Sequence, residues 1–153
     1  QSRSSAASDV YKRQLQMLQS SIYILVSKLI FELNVEKRIS FYLPMSKTNE
    51  NINKIYFHLK PFSKYTSNLK ISMRSPFEEK LLKLDLRIYH EARLGEVVRF
   101  QNFHVSLLDI FQTNLRFGFQ RDERLQWNSF AEEFLKLSIK EGRSVESFIP
   151  PRF

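Results

Sequence analysis

The sequence has 153 residues and a formal net charge of +8 at pH 7, with 42% hydrophobic and 14% aromatic residues. This composition excludes a disordered chain, because enough apolar surface is present to form a core. Cysteine is absent, which excludes structural disulfides, thiolate metal sites and a cysteine nucleophile. The chain contains only three glycines, so a glycine-rich phosphate loop is also excluded.

The N-terminal segment differs from the rest of the chain. Residues 4–14 read SSAASDVYKRQ and resemble the in-frame translation of a transposase-based sequencing adapter. A technical segment of this kind carries no information about the fold. We therefore expect residues 1–14 to be an artefactual adapter-derived tail and residues 15–153 to form a single domain. The alternative is a natural disordered arm.

An amphipathic helix is predicted over residues 15–33. Its apolar residues recur at steps of three and four positions, the period of a helix with one buried face. They are Leu18, Ile22, Leu25, Val26, Leu29, Ile30 and Leu33. Residues 22–33 are interrupted by Ser27, Lys28 and Glu32, and they fall short of the roughly 20 apolar residues of a spanning helix. We therefore expect no membrane association.

Strands are predicted where the period changes from helical spacing to strict alternation. Polar and apolar residues alternate over residues 38–43, 54–59, 68–73 and 83–89, with aromatic and β-branched side chains among them. Residues 96–100 are predicted to form a fifth strand, paired with the fourth through a short turn. The connections are too short for crossover helices, so the pattern predicts an antiparallel meander.

A second helix is predicted near the C-terminus, with Asp122 as its N-cap and Gly142 as its stop. Its expected buried stripe is Trp127, Phe130, Ala131, Phe134 and Leu137. Residues 102–119 are ambiguous between helix and strand, and residues 145–153 are expected to be extended. The predicted fold class is α+β: an N-terminal helix, a mainly antiparallel meander sheet of four to six strands, and a C-terminal helix packed on it.

The fourth strand carries the first candidate binding residues. Alternation places Arg87 and Tyr89 on the face opposite Leu84, Leu86 and Ile88. A guanidinium beside a phenol suits recognition of a carboxylate or a phosphate. Neighbouring strands are expected to add Tyr56 or His58, and Lys70. The alternative is a solvated sheet face on which Asp85 forms cross-strand ion pairs.

The turn after the fourth strand carries the candidate catalytic residues, His90 and Glu91. An imidazole beside a carboxylate could act as a general base, with Arg93 nearby as an anion clamp. Adjacent strand residues point to opposite faces, however, and a structural hydrogen bond explains His90 equally well. The histidines His58, His90 and His104 lack the spacing of a metal site, so no metal is expected.

Arg121 precedes the second predicted helix and is a further candidate binding residue. The acidic residues around it suit the positive end of the helix dipole, but an arginine there needs another role. It either ties the helix start to the sheet through Asp85, Glu91 or Glu96, or it binds an anion near the helix N-terminus.

A third hypothesis is nucleic-acid binding. Residues 54–65 interleave lysines with aromatic residues, and such a strip can stack bases while its charges contact phosphates. A continuous basic strip of Lys54, Lys60, Lys64 and Lys70 on one face would favour this hypothesis. No known nucleic-acid-binding motif is present, however, and alternating aromatic residues are more often part of a core.

Two sequence blocks resemble a known family. Residues 86–93 read LRIYHEAR and are followed by Glu96-Val97, and residues 120–124 read QRDER before the helix that closes on Gly142. These blocks resemble the YqiB family of bacterial proteins, a domain of unknown function, and the resemblance covers residues 22–148. Residues 112–117, QTNLRF, depart from the family's Tyr-x-Tyr-Pro-Asn-like segment, so no site is transferred from that loop.

The resemblance implies a fold without implying a reaction. We expect a cytoplasmic, non-catalytic binding or adaptor domain without a cofactor, whose Arg87, Tyr89 and Arg121 engage a protein partner or a small anionic ligand. The rival is a small cofactor-independent enzyme or nucleotide-binding protein that uses His90 and Glu91. Nucleic acid is the less favoured partner, and a homodimer through the uncovered sheet face or an edge strand stays open.

Overall fold

The computed structural model describes residues 2–44, 52–74, 81–101 and 123–144. The elements in chain order are α1 (Ser2–Leu29), β1 (Lys37–Pro44), β2 (Ile52–Pro61), β3 (Thr66–Arg74), β4 (Leu81–Tyr89), β5 (Leu94–Gln101), α2 (Glu123–Glu141) and β6 (Arg143–Ser144). The fold class is α+β, which confirms the prediction. His104, Arg121, Asp122, residues 102–119 and residues 145–153 lie outside the described residues.

The strands form one antiparallel sheet in the order β5-β4-β3-β2-β1-β6. β1 to β5 are hydrogen-bonded to their neighbours in chain order, so the predicted meander is confirmed. The alternation of polar and apolar residues located β1 to β4, and β5 was predicted from its pairing with β4 through a short turn. β6 was not predicted; it pairs with β1 through Phe41 and Tyr42, where the chain leaves α2.

One face of the sheet is buried against both helices and forms the core. On this inner face, Phe41 packs edge-on against Phe57 with ring centroids 5.2 Å apart. The buried strand residues include Leu43, Ile55, Phe57, Leu59, Leu69, Ile71, Met73, Leu84, Leu86 and Ile88. The helices contribute Ile22, Leu25, Val26, Ile30, Phe130, Ala131, Phe134 and Leu135 to the same cluster. The opposite, outer face is left uncovered by these helices.

The first helix differs from its prediction at both ends. It begins at Ser2, so residues 2–14 are helical although they were set aside as adapter sequence, and it ends at Leu29 instead of residue 33. The end is explained by Glu32, which has a φ of 61° in the left-handed region where a helix cannot continue. The Lys37 ammonium binds the Phe31 carbonyl beside this break. Neither described helix is long and apolar enough to cross a membrane.

The second helix follows its prediction closely. Phe130, Ala131 and Phe134 are buried as expected, whereas Leu137 is only half-buried and Leu135 takes part in the core. The helix ends immediately before Gly142, the predicted stop. The Gly142 N–H donates to the Ser138 carbonyl at 2.9 Å, and a Cβ at position 142 would overlap that same oxygen.

The pairing of β4 with β5 contains a β-bulge. Leu86 lies opposite Val97, but Asp85 lies opposite Arg99, so Val98 is the extra residue of β5. At the other end of β5, Gly95 lies against α1. These two features fix which β5 side chains reach the outer face.

Candidate functional site

The outer face carries a row of polar and charged side chains across all five main strands. Each member lies directly opposite the next in the strand register. The row, called the central row below, consists of Arg38, His58, Lys70, Asp85 and Arg99. With strands about 4.8 Å apart, it extends over roughly 19 Å. Lys70, which was expected beside Arg87 and Tyr89, lies opposite Asp85 instead, and His58 lies one strand further from β4.

Parallel rows flank the central row on either side. One row contains Ser40, Tyr56, Ser72, Lys83 and Gln101, each opposite the next. The other contains Lys60, Asn68, Arg87 and Glu96. Arg87 is therefore on the outer face, as predicted, with Asn68 and Glu96 as its cross-strand neighbours.

The outer face is indented by two depressions. The larger has a volume of about 460 Å³ and is lined by His58, Lys60, Pro61, Phe62, Asn68 and Lys70. The smaller has a volume of about 270 Å³, and its lining includes Lys83, Asp85 and Arg99. His58 and Lys70 line both depressions, so the two form one continuous groove across β2 to β5.

Positive charge dominates this groove. Within the part of the chain that the structure describes, Lys60, Lys70, Lys83 and Arg99 have no carboxylate within ion-pair distance. Asp85, the acidic member of the central row, lies between Lys70 and Arg99. Several ammonium groups are thus free to bind an external anion.

A carboxylate at the edge of the groove is already occupied. Glu36 accepts a hydrogen bond from the His58 ring at 2.9 Å, and the Arg38 guanidinium lies 4.0 Å from it. The hydrogen bond from His58 is the main reason why the pKa of Glu36 lies below its ordinary value. Glu36 thereby fixes the position of the His58 ring in the groove lining.

Arg87 and Asn68 offer unused hydrogen-bonding atoms on the outer face. The Arg87 Nε and the Asn68 Oδ1 are buried, yet neither has a hydrogen-bond partner among the described protein atoms. Buried polar atoms are normally paired, and because both atoms are enclosed an ordered water suits them better than a ligand on the open face. Asn68 also lines the larger depression.

The Tyr89 hydroxyl donates to Glu96 at 2.8 Å, and a role of Tyr89 in ligand binding stays a prediction. Glu96 also accepts from Gln19 of α1 at 3.0 Å and from Arg124 of α2 at 2.7 Å. Burial opposes ionisation of Glu96, but the hydrogen bonds from Arg124, Tyr89 and Gln19 outweigh it and lower its pKa. Burial and the Glu96 contact raise the pKa of Tyr89.

The Glu96 contacts join β4, β5, α1 and α2, so this cluster is structural. A tie from the start of the second helix to the sheet was expected from Arg121, which lies outside the described residues. Arg124 provides such a tie. Sequence reasoning missed Arg124 because nothing in the spacing says which arginine of the helix start reaches the sheet.

His90 lies on the other side of the sheet from Arg87 and Tyr89. Its Nε2 is 2.8 Å from the Ser67 hydroxyl, and that hydroxyl donates to the Leu33 carbonyl at 2.9 Å. Since a hydroxyl has a single proton to donate, Ser67 accepts from His90, and the neutral ring carries its proton on Nε2. His90 therefore ties the end of β4 to the α1–β1 connection.

The other candidate catalytic residues occupy the β4–β5 turn. Glu91 and Arg93 are exposed there, and Arg93 has a left-handed φ of 55°. Neither residue, nor His90, lines the groove described above. Catalysis by His90 and Glu91 stays a prediction.

Comparison with known proteins places the chain in a family. A model described as a protein of unknown function (DUF1249) matches residues 43–144. The chain belongs to the DUF1249 family. No curated protein and no solved structure gives a match. The DUF1249 match includes β2 to β5 and α2, and with them the groove lysines.

A metal centre has no support in the described part of this DUF1249 protein. No group of three or more His, Asp or Glu side chains there is placed to hold a metal ion. The outer-face donors are mainly ammonium and guanidinium groups, which repel cations and attract anions.

We expect the stability of this DUF1249 protein to fall as the pH drops below about 6.5. Burial lowers the pKa of folded His90 below its ordinary value of 6.5, so the unfolded chain binds the proton more tightly. The stability that the protein gains from keeping His90 neutral is complete above pH 6.5. It is lost as the pH falls through the pKa of His90 in the folded protein. Urea unfolding between pH 5 and 8 measures it.

The control for this pH dependence is His90→Gln, which retains a donor for Ser67 but does not titrate. The free energy of unfolding of this variant should vary less between pH 5 and 6.5 than that of the parent. Equal slopes for the two proteins would contradict the prediction.

Proposed function

We propose that this DUF1249 chain is a non-catalytic binding domain that engages an anionic ligand through its outer sheet face. The proposal includes the finer assignments made from the sequence: a YqiB-like bacterial protein that acts in the cytoplasm, with residues 1–14 derived from an adapter. The proposed binding surface contains Arg87, as expected from the sequence, together with the central row.

The observation that carries the proposal is the groove's set of cations that have no carboxylate partner among the described residues. Lys60, Lys70 and Lys83 come from consecutive strands and line connected depressions. Side-chain ammonium groups on a rigid sheet contact a charged ligand without an ordering cost for the backbone. The neighbouring acidic residues, Glu36 and Glu96, are held by other partners.

A binding role fits this chemistry better than a catalytic one. The lysines of the groove are exposed to solvent, whereas catalytic groups generally work in sites that exclude water. The titratable pair proposed for general base catalysis is divided between the inner side, where His90 bonds Ser67, and the exposed turn that holds Glu91. The groove itself offers cations and hydrogen-bond donors.

Arg87 gives the proposed site a place for a more specific contact. Its side chain is half-buried beside Asn68, and a guanidinium binds planar anions through paired N–H groups. Because its Nε is enclosed, an anion would contact Arg87 through the terminal nitrogens of the guanidinium.

Reversing one central charge should weaken anion binding strongly. We expect Lys70→Glu to lower the affinity for a heparin hexasaccharide by about tenfold, because loss of one close charge contact and addition of a repulsive one amount to roughly 1.4 kcal/mol. Isothermal titration calorimetry at 50 mM salt measures the affinity.

The matched control is Lys28→Glu, which makes the same charge reversal at an exposed position on α1. Its affinity should remain within twofold of the parent's. An equal loss in both variants would show that only the net charge matters. Unchanged binding by Lys70→Glu would remove the outer face as the site.

A further inference from the structure

The cations of the proposed site form an elongated series along the outer face. We infer that the outer face binds single-stranded nucleic acid, with phosphates on the groove lysines and bases on exposed aromatic side chains; this inference rests on the proposed anion-binding function. A small anion would need convergent donors around one point. Here the cations are spread along connected depressions from Lys60 through Lys70 to Lys83 and Arg99.

The spacing of the cations suits a ligand with repeated charges. Lys60, Lys70 and Lys83 lie on β2, β3 and β4, one strand apart, and Arg99 continues the series on β5. The series therefore crosses about 14 Å of sheet from β2 to β5. A polyanion can neutralise several of these charges at once and release its counterions, which is the usual source of affinity for nucleic acids.

Exposed aromatic residues occur beside these cations. Phe62 is 72% exposed and lines the larger depression together with Lys60 and Lys70. Tyr56 is 47% exposed and belongs to the same row as Lys83. Large exposed aromatic side chains beside lysines are the arrangement with which sheets stack bases while they contact the backbone.

A fourth lysine, Lys54, lies beside Tyr56 on the outer face. The Lys54 ammonium lies 5.3 Å from the ring centroid of Tyr56 and 5.8 Å from that of Tyr42. Lys54 is thus held over the two rings by cation–π contacts. It extends the positive charge of the outer face to the start of β2. Lys54, Lys60 and Lys70, three of the four lysines of the predicted basic strip, share the outer face, and the fourth, Lys64, lies in the connection between β2 and β3.

Single strands fit this surface better than duplexes. Stacking on Phe62 or Tyr56 needs a base whose face is free, and bases in a duplex are already stacked on one another. The groove follows a sheet, and neither described helix lies on the outer face to enter a major groove. An acidic protein segment would use the lysines but has no bases to stack on the two aromatic rings.

The test uses fluorescence anisotropy of a labelled 12-nucleotide poly-U probe with the full chain. We expect binding whose logarithmic salt dependence has a slope of about −2 to −3, as for three or four phosphate contacts on a single strand. Lys70→Glu should weaken binding about tenfold and flatten the slope. A Tyr56→Thr, Phe62→Ser double variant should weaken binding of the probe about tenfold without changing the slope.

The same variants with the heparin hexasaccharide separate this inference from the proposed function. Heparin carries charges but no bases, so the aromatic double variant should bind it like the parent. If the aromatic variant binds the probe unchanged while Lys70→Glu weakens both ligands, the anion-binding function stands and the nucleic-acid inference fails. If the parent binds neither ligand, both fail. A duplex bound more tightly than the single strand would also overturn the inference.

Discussion

Replacing Glu96 with alanine is expected to lower the free energy of unfolding by about 2–3 kcal/mol. The carboxylate accepts hydrogen bonds from Tyr89, Gln19 and Arg124, and its side chain is only 14% exposed. Alanine would leave the Tyr89 hydroxyl and the Gln19 amide without their acceptor in a partly buried place. The lost ion pair with Arg124 contributes less to this destabilisation, because the Arg124 side chain is 56% exposed and solvent screens its charge.

Urea unfolding of three proteins checks this expectation. Glu91→Ala is the control, because it removes a carboxylate from the exposed turn nearby and should change stability by less than about 0.5 kcal/mol. Glu96→Gln should lie between the parent and Glu96→Ala, since an amide oxygen still accepts from Tyr89. A Glu96→Ala variant as stable as Glu91→Ala would show that the cluster does not hold the helices to the sheet.

The second large effect is expected at Gly95, where Gly95→Val should cost about 3 kcal/mol. A Cβ at this position would lie 2.8 Å from the Cγ2 of Ile22 and 3.1 Å from the Cδ1 of Ile88. Both isoleucines are completely buried, so neither can move aside without displacing the core. Valine would therefore force α1 away from β5.

A graded series and a double-mutant cycle test this explanation. Gly95→Ala should be less destabilised than Gly95→Val, because the loss of stability should grow with the volume of the added side chain. Ile22→Ala removes the methyl group that a Cβ would meet, so it should cost less in the Gly95→Val background than in the parent, with a coupling of at least about 1 kcal/mol. Additive losses would indicate that the glycine is needed for another reason.

Much of the fold was predictable because strand alternation is a local property. The inner set of β4, Leu84, Leu86 and Ile88, and its outer partner Arg87 follow from counting by two along the chain. The alignment of different strands is not local. Only the observed register shows that His58, Lys70 and Asp85 form one row, and no spacing within the sequence states this.

The site contacts were less predictable for the same reason. Ser67 carries no signal that marks it as the partner of His90, since the two residues meet only after β3 pairs with β4. The role of Gly95 depends on how closely α1 approaches β5. The end of α1 was misplaced because Glu32 has no special preference for a left-handed φ, whereas glycine or asparagine would have marked the break.

The β-bulge in β5 has a consequence for how this strand's sequence is interpreted. In an unbroken strand, residues an odd number of positions apart point to opposite sides, yet Glu96 and Arg99 both lie opposite outer-face residues of β4. The extra Val98 resets the phase of the alternation, so that Phe100 instead lies opposite Leu84 and stacks on Trp127 with ring centroids 3.8 Å apart. One inserted residue thus lets the same strand supply a cation to the groove and an aromatic ring to the helix.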